Sequence, residues 1–298
     1  MARLISLVED GSPRLHEAMA LLAPDFGHAF VIGLTGAPGV GKSTTTTALV
    51  TALRARGSRV AVLAVDPSSP FSGGALLGDR VRMQEHATDP GVYIRSMATR
   101  GHLGGLAWAT TQALRVLDAA QFDVAVVETV GVGQSEVEVA STADSVVILL
   151  APGMGDGIQA AKAGILEVGD IYVVNKADRD GADATARELR NVLRMGPGQS
   201  SAAGDGWVPP VVKTVASQEG GIGDLVDALD AHRAWLSRSG ALAGRRRRRA
   251  ATEIRSIASA AIGRRLDRLD DHTRALADQV MAGSLDPYAA ADALVELV

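Results

Sequence analysis

Eight consecutive residues near the start of the chain have the pattern of a phosphate-binding loop. Gly36–Ser43 reads Gly-Ala-Pro-Gly-Val-Gly-Lys-Ser and satisfies G-x-x-x-x-G-K-[ST] between an apolar run and a helix-like segment. Such glycines let backbone N–H groups curl around phosphate oxygens at the positive end of a helix. Lys42 would reach the β and γ phosphates, and the Ser43 hydroxyl would ligate Mg²⁺. The predicted phosphate contacts are Gly36, Ala37, Pro38, Gly39, Val40, Gly41, Lys42, Ser43 and Thr44.

A second motif, Asn175-Lys176-Ala177-Asp178, follows the apolar run Ile171–Val174 and matches the N-K-x-D element of GTPases. A carboxylate at position 178 can accept hydrogen bonds from both the N1–H and the 2-amino group of guanine, whereas adenine offers no such pair. The motif therefore favours GTP over ATP. The predicted base-side contacts are Asn175, Lys176 and Asp178, together with Ser217, because Ala216-Ser217 resembles the remaining base-contacting loop.

Acidic residues that end two further apolar runs predict the groups around the metal. Glu128 and Gly131 occupy the places of the Asp-x-x-Gly element, in which the acid holds Mg²⁺ through water and the glycine N–H touches the γ-phosphate. Asp66 is expected to position water or to contact Mg²⁺ through water, and Asp79 to contact Mg²⁺ in one nucleotide state. Structural turn acids are the alternative interpretation of these carboxylates. The predicted catalytic residues are Lys42, Asp66 and Glu128.

Short, continuous apolar runs alternate along the chain with segments of helical composition. Continuous apolarity predicts strands buried on both faces. The alternation predicts an α/β fold of the P-loop NTPase kind, a doubly wound and mainly parallel sheet with helices on both sides. The predicted strands are Phe30–Leu34, Val60–Val65, Val92–Ile94, Val124–Val127, Val146–Leu150, Ile171–Val174 and Val211–Val215. The predicted helices between them are Ser43–Arg56, Ala107–Ala120, Ile158–Glu167 and Ala182–Leu193.

Helical segments are expected on either side of this P-loop domain, which we assign to residues 30–238. Residues 1–29 read as an N-terminal helical extension with apolar residues at helix-like spacing. Residues 239–298 read as a helical arm, in which Asp286-Pro287 predicts the start of the last helix. An apolar stripe from Ile254 to Leu269 needs to be buried by the same domain or by a second subunit.

Composition narrows the classes of partner. The formal net charge of −4 gives no reason to expect nucleic acid or a membrane as partner, and the absence of cysteine excludes disulfides and thiolate metal sites. Glu9 and Asp10 interrupt the N-terminal apolar residues before they reach signal-peptide length, so the cytoplasm is expected. The run Arg245–Arg249 contains no aromatic residue, which favours a solvated helix face or an interface over a polyanion site.

Together these motifs resemble one family, the methylmalonyl-CoA mutase-associated GTPases of the SIMIBI class. The likeness runs from near Leu4 to Tyr288. Its most diagnostic part is the string Glu128–Glu136, because generic GTPases lack it. The segments that carry it are Gly33–Thr44, Val65–Pro70, Leu77–Arg80, Glu128–Glu136 and Asn175–Asp178.

The resemblance implies a chaperone of adenosylcobalamin-dependent methylmalonyl-CoA mutase, or of a sister acyl-CoA mutase. Such a protein hydrolyses GTP to GDP with Mg²⁺, gates cofactor loading, and protects or reactivates the mutase. The resemblance also implies a homodimer made by the helical arm, and it places Asp66 and Asp79 in switch I and Glu128–Glu136 in switch II. A third switch facing the mutase would run from Gly153 to Lys162, and its matching residues are Asp156, Gln159 and Lys162.

Two other functions are compatible with a P-loop domain of this kind. A nickel metallochaperone of the same SIMIBI class would carry metal sites rich in histidine or cysteine, and six scattered histidines without cysteine argue against it. A P-loop small-molecule kinase would prefer ATP, and the motif Asn175–Asp178, which is predicted to recognise guanine, argues against this alternative. A binding module without catalysis is not indicated, because Lys42, Ser43 and Glu128 show no degeneracy.

Overall fold

Seven parallel β-strands form one sheet in the computed structural model, which describes residues 1–67, 84–86, 88–99, 105–129, 139, 141–153, 165–195 and 206–297. The strand order is β3-β2-β4-β1-β5-β6-β7, and every pairing is parallel. The strands are β1 (Phe30–Gly36), β2 (Val60–Pro67), β3 (Val92–Thr99), β4 (Val124–Thr129), β5 (Ser145–Leu150), β6 (Ile171–Val174) and β7 (Val211–Lys213). The predicted α/β, doubly wound P-loop architecture is confirmed.

Helices cover both faces of the sheet. Neighbouring residues along a strand point to opposite sides, so the apolar strands present a buried face to the helices on each side. Val31 faces a core shared with α1, α2, α4 and α5, and Ile32 faces a second core shared with α3 and α6. The helices are α1 (Ala2–Glu9), α2 (Leu15–Leu22), α3 (Lys42–Ala55), α4 (Gly105–Ala119), α5 (Ala182–Met195), α6 (Ile222–Arg238), α7 (Ala241–Leu266), α8 (Asp270–Met281) and α9 (Pro287–Val295). Short 3₁₀ turns lie at Ala23–Asp25, Gln84–His86, Ile165–Glu167, Ala216–Gln218 and Asp267–Leu269.

Six of the seven strands differ from their predicted bounds. Strands β1, β2 and β4 each run two residues further, β5 begins one residue earlier, β3 runs five residues further, and β7 ends two residues earlier. Strand β3 continues to Thr99 instead of ending at Ile94, because Arg95 finds a partner in Glu9 of α1 and the polar residue therefore does not end the strand. Strand β7 ends at Lys213 instead of Val215, because Val215 pairs with Gly220 in an isolated antiparallel bridge instead of continuing the sheet. The predicted helix Ile158–Glu167 lies outside the described residues, apart from its last turn.

The run Arg245–Arg249 lies in α7 and divides into two sets. Arg247 and Arg248 are exposed to solvent. The other three point toward the edge of the sheet at which the strands begin. We call these three guanidinium groups, with the two carboxylates that they bind, the arginine anchor: Arg245, Arg246, Arg249, Asp144 and Asp170.

Each carboxylate of the arginine anchor lies directly before a strand. Asp170 receives two hydrogen bonds of 2.7 Å from the guanidinium of Arg245, which raise the pKa of that arginine. Asp144 is fully buried and accepts from Arg246 Nη2 at 3.0 Å and from the backbone N–H of Val31 at 3.0 Å. A buried carboxylate is stable only when charge and hydrogen bonds compensate its lost hydration. The anchor therefore holds α7 firmly against the sheet.

Beyond the anchor, the helical arm leaves apolar side chains open. Ile254 and Ile257 of the predicted stripe are 67% and 43% exposed, and α7 buries none of its residues. The predicted start of the last helix is confirmed, since the Asp286 carboxylate accepts from the N–H groups of Tyr288 and Ala289. In the described part of the chain, no helix combines the length and the apolar character that crossing a membrane requires.

Candidate nucleotide-binding site

At two positions in the loop between β1 and α3, the backbone conformation and the neighbouring atoms leave room only for glycine. Gly36 has φ +149°, and a Cβ there would lie 2.3 Å from the carbonyl oxygen of Leu149. Gly41 has φ +97°, and a Cβ there would lie 2.4 Å from Asn175 Nδ2. Gly41 also precedes the first residue of α3, so the loop ends at the positive pole of that helix. This arrangement can bind the oxygens of a phosphate chain.

Lys42 bends back over the loop that precedes it. Its side chain is buried, and Nζ donates to the carbonyl oxygens of Gly36 at 2.7 Å and Ala37 at 3.1 Å. The ammonium group is thereby kept beside the loop backbone and away from bulk water. A partly dehydrated cation at this place can attract phosphate oxygens more strongly than an exposed one.

Hydroxyl groups of α3 hold the carboxylate of Glu128, which lies near the end of β4. Ser43 Oγ donates to Glu128 Oε1 at 2.7 Å, and Thr46 Oγ1 donates to Oε2 at 2.8 Å. Glu128 is 3% exposed. The Glu128 side chain is long enough to reach from the sheet to the helix. The contact therefore brings together two oxygen atoms, from separate elements, that can bind a metal ion.

The pair formed by Ser43 and Glu128 fits Mg²⁺, a hard cation that prefers oxygen ligands. Across the described ranges, no group of three or more histidine, cysteine, aspartate or glutamate residues could hold a metal ion by itself. Mg²⁺ commonly completes its coordination with phosphate oxygens and water. The site is suited to a metal that arrives with a nucleotide.

Asn175 joins the phosphate loop to the two loops expected to contact the base. Its Nδ2 donates to the Val40 carbonyl at 2.9 Å. Its Oδ1 accepts from the Thr214 hydroxyl at 3.0 Å and from the Ala216 N–H at 3.1 Å. Asn175 is 3% exposed, so one buried amide links loops from three parts of the chain.

The remaining base-side residues lie around this amide. Lys176 has a left-handed backbone, with φ +58°, and its Nζ donates to the Gly39 carbonyl at 2.6 Å. Asp178 is exposed two residues further on. Ser217 is exposed in the turn Ala216–Gln218, which Asn175 holds. The structure therefore brings the N-K-x-D motif and the Ala216-Ser217 loop to the phosphate loop.

Several predicted site residues cannot be placed. The backbone of Asp66 pairs with Ala98 at the end of β2, but its side chain is outside the described part of the structure. The other predicted residues outside the described ranges are Asp79, Gly131, Asp156, Gln159 and Lys162. Their roles stay predictions, as do the roles of the residues that the structure brings together.

Sequence reasoning missed Thr46. The residue lies within the run Thr44–Thr47, of which only Thr44 was predicted to contact phosphate. The available signal was its spacing, because residues three apart on a helix share a face and Thr46 follows Ser43 by three. A buried hydroxyl pair at the ends of β1 and β4, Thr129 Oγ1 to Thr35 Oγ1 at 3.0 Å, was missed as well.

Sequence comparison gives one family and relatives that match most of this chain. The family model "Methylmalonyl Co-A mutase-associated GTPase MeaB" matches residues 1–270. A relative from Pyrococcus abyssi, provisionally named a GTPase, is 48% identical over 297 residues, covering 99% of this chain and 91% of its own length. The mouse mitochondrial methylmalonic aciduria type A homolog is 40% identical over 220 residues, covering 73% of this chain and 52% of its own length.

A solved structure extends the similarity to the whole fold. The crystal structure of a LAO/AO transport system kinase matches with a TM-score of 0.71 and 27% identity. The match covers 99% of this chain and 91% of the other. The likeness therefore includes the helical arm as well as the sheet.

Proposed function

We propose that this chain, which belongs to the family of methylmalonyl-CoA mutase-associated GTPases, hydrolyses GTP in a Mg²⁺-dependent reaction and serves as a chaperone of an adenosylcobalamin-dependent acyl-CoA mutase. One observation carries the nucleotide part of this proposal. The buried amide of Asn175 ties the phosphate loop to both loops that would read a base. Methylmalonyl-CoA mutase is the first candidate partner, because the family carries its name.

The phosphate side of the proposed site uses backbone and charge. N–H groups of the loop Gly36–Lys42 would bind the phosphate oxygens, and Lys42 would pair with the β and γ phosphates. Ser43 would ligate Mg²⁺, and Glu128 would hold it directly or through water. Bound Mg²⁺ would neutralise charge that develops on the phosphates.

Hydrolysis needs a water molecule that attacks the γ-phosphorus while the bond to the β-γ bridging oxygen breaks. We assign the orientation of that water to Asp66. A GTPase without an arginine finger turns over slowly, because such a residue contributes roughly 10³–10⁵ in rate. We therefore propose that the mutase accelerates the reaction by ordering the third switch, through Asp156, Gln159 and Lys162. GTP turnover would then time the delivery of intact cofactor and the removal of inactivated cofactor.

A homodimer is part of the proposal. The exposed apolar residues of α7, Ile254 and Ile257, support a second copy as the surface that covers the arm. Light scattering after size exclusion should give twice the chain mass, and replacing both isoleucines by lysine should give the single mass. A monomeric wild-type protein would contradict this assembly.

Calorimetric titration tests the choice of base. GDP should bind in the presence of Mg²⁺, and ADP should bind far more weakly. Inosine diphosphate lacks the 2-amino group, so it should bind roughly tenfold more weakly than GDP, the equivalent of one hydrogen bond to a charged acceptor. In Asp178→Ala, GDP and inosine diphosphate should bind equally. Equal binding of all three nucleotides to the wild-type protein would refute guanine recognition.

Turnover measurements test the mutase part separately. GTP hydrolysis should be slow for the chain alone and faster with purified methylmalonyl-CoA mutase or a sister acyl-CoA mutase. Gln159→Ala should reduce the acceleration while leaving nucleotide affinity unchanged. An unchanged rate with every mutase tried would remove the chaperone role but leave GTP binding standing.

A P-loop small-molecule kinase is the alternative within the same fold. It would transfer the γ-phosphoryl group of ATP to a small acceptor, so ATP preference in the titration above would favour it. The N-K-x-D motif, placed beside the phosphate loop by Asn175, supports GTP instead. The cytoplasmic location and the boundaries 30–238 and 239–298 stay predictions.

A further inference from the structure

Thr46 has a role that the phosphate-loop motif does not describe. We infer that Thr46 is a positioning residue that orients the Glu128 carboxylate for Mg²⁺, an inference that rests on the proposed GTP site. It would not touch the nucleotide or the metal itself. Its hydroxyl would act through Glu128, whose other oxygen faces Ser43.

The geometry grips the carboxylate at both oxygens. Thr46 is fully buried, and its Oγ1 lies 2.8 Å from Glu128 Oε2, while Ser43 Oγ lies 2.7 Å from Oε1. Both hydroxyls belong to α3 and are three residues apart, so they lie on one face of that helix. Hydrogen bonds to a carboxylate are about twice as strong as neutral ones. Rotation of the carboxylate about its terminal bond would break both of them.

Neighbouring threonines show that this hydroxyl is used in an unusual way. Thr45, Thr47 and Thr51 each donate to the carbonyl four residues earlier, at 2.9, 3.0 and 3.1 Å. That local bond is the common choice of threonine within a helix. Thr46 instead donates to a charged side chain on β4, more than eighty positions away in sequence. The role therefore concerns Glu128 rather than the helix.

A glutamate needs such support more than an aspartate would. Its longer side chain has one more rotatable bond, and fixing it costs more conformational entropy. The Thr46 hydroxyl fixes Oε2 of Glu128 and thereby keeps Oε1 beside Ser43. Residues that orient metal-binding groups typically contribute roughly 10–100-fold to metal affinity. Loss of the Thr46 hydroxyl should therefore weaken Mg²⁺ binding without removing any group from the phosphate loop.

The test compares Thr46→Val, which keeps the shape, with Thr46→Ser, which keeps the hydroxyl, and with the control Thr47→Val. GDP affinity is measured by calorimetry without Mg²⁺ and over a Mg²⁺ titration, and the melting temperature of the nucleotide-free protein is recorded. Thr46→Val should need roughly tenfold more Mg²⁺ for half-maximal tightening of GDP binding. Its Mg²⁺-free affinity for GDP should match the wild type, and Thr46→Ser and Thr47→Val should resemble the wild type throughout.

Two results would overturn the inference. The first is an unchanged Mg²⁺ requirement in Thr46→Val. The second is an equal loss of GDP affinity with and without Mg²⁺, which is the mark of a purely structural role. If Thr46→Val does not fold, Thr46→Cys replaces it with the same expectation, since a thiol is a weak donor. A wild-type protein that binds no guanine nucleotide would instead refute the GTP site itself.

Discussion

Glu128 and Asp144 are both buried carboxylates, 3% and 0% exposed, yet they lie at opposite edges of the sheet and are held by different groups. Glu128, near the end of β4, accepts from the neutral hydroxyls of Ser43 and Thr46. Asp144, before the start of β5, accepts a hydrogen bond from the guanidinium group of Arg246 and forms an ion pair with that of Arg249. The strands between these edges span about 20 Å, at roughly 3.3 Å per residue.

The difference separates a proposed binding site from a structural contact. A hydroxyl stabilises a carboxylate without cancelling its charge, so the charge remains available to a metal ion. A guanidinium cancels the charge and fixes the geometry, so the pair holds elements together. We therefore expect changes at the Glu128 edge to alter nucleotide binding, and changes at the Asp144 edge to alter stability.

Asp144→Asn should have the largest effect. The substitution leaves Arg246 and Arg249 without their buried counter-charge, and breaking such a pair typically lowers the free energy of unfolding by about 3–5 kcal/mol. Urea unfolding followed by circular dichroism measures the change. The control is Asp271→Asn, because the ion pair of Asp271 with Arg274 is exposed and should contribute little. Equal stability of the two variants would contradict the structural role of the anchor.

Lowering the pH should destabilise the Asp144 edge of the sheet through protonation of His232. This ring is fully buried against Trp207 and Trp235. Burial lowers the pKa of His232 to about 4; the nearby carboxylate of Asp170 opposes this shift, and the positive charge of Arg245 adds to it. The ordinary pKa is 6.5, so the unfolded chain binds more protons between about pH 6.5 and 4. The free energy of unfolding should fall by up to about 3 kcal/mol as the pH drops through this window.

Unfolding curves at several pH values check the expectation for His232. The matched variant is His232→Gln, which cannot gain this proton, so the difference between the two pH profiles isolates His232. Parallel profiles for wild type and variant would show that the ring does not contribute.

Lys42→Ala should affect binding and leave the fold intact. The ammonium would make charged hydrogen bonds to phosphate, and losing one of about 1.5–3 kcal/mol corresponds to a loss of GDP affinity of roughly 10–150-fold. Calorimetry measures the affinity, and the unfolding midpoint should stay near that of the wild type. As a control, Lys213→Ala removes an exposed pair with Asp183 and should bind GDP normally. Wild-type affinity in Lys42→Ala would disprove the assignment of the phosphate loop.

The smallest effect is expected for Arg247→Ala combined with Arg248→Ala. Both side chains face solvent, and surface substitutions of this kind usually change stability by less than about 0.5 kcal/mol. Arg246→Ala in the same run should destabilise the protein clearly, since it opens a bond to Asp144. Equal urea midpoints for the two variants would mean that the run does not divide as described.

Much of the sheet and of the phosphate loop followed from local patterns. Continuous apolar runs predicted buried strands, and Ile171–Val174 is fully buried in β6 as expected. The glycines of Gly36–Ser43 predicted a tight loop, and the left-handed backbone of Gly41 agrees. The end of β3 could not be predicted, because Arg95 looks like a strand terminator until Glu9 of α1 is seen to pair with it.

By itself, the sequence determined the tight glycine loop between β1 and α3, the position of the N-K-x-D motif after β6, and the order of strands and helices along the chain. These features are encoded in neighbouring residues, through backbone sterics and the periodicity of burial. Only the tertiary structure decided that Thr46 donates a hydrogen bond to Glu128. It also decided that, of the five adjacent arginines, Arg246 and Arg249 form ion pairs with Asp144. The physical reason is that a long-range hydrogen bond depends on which elements pack together, and residue type and spacing do not specify its partner.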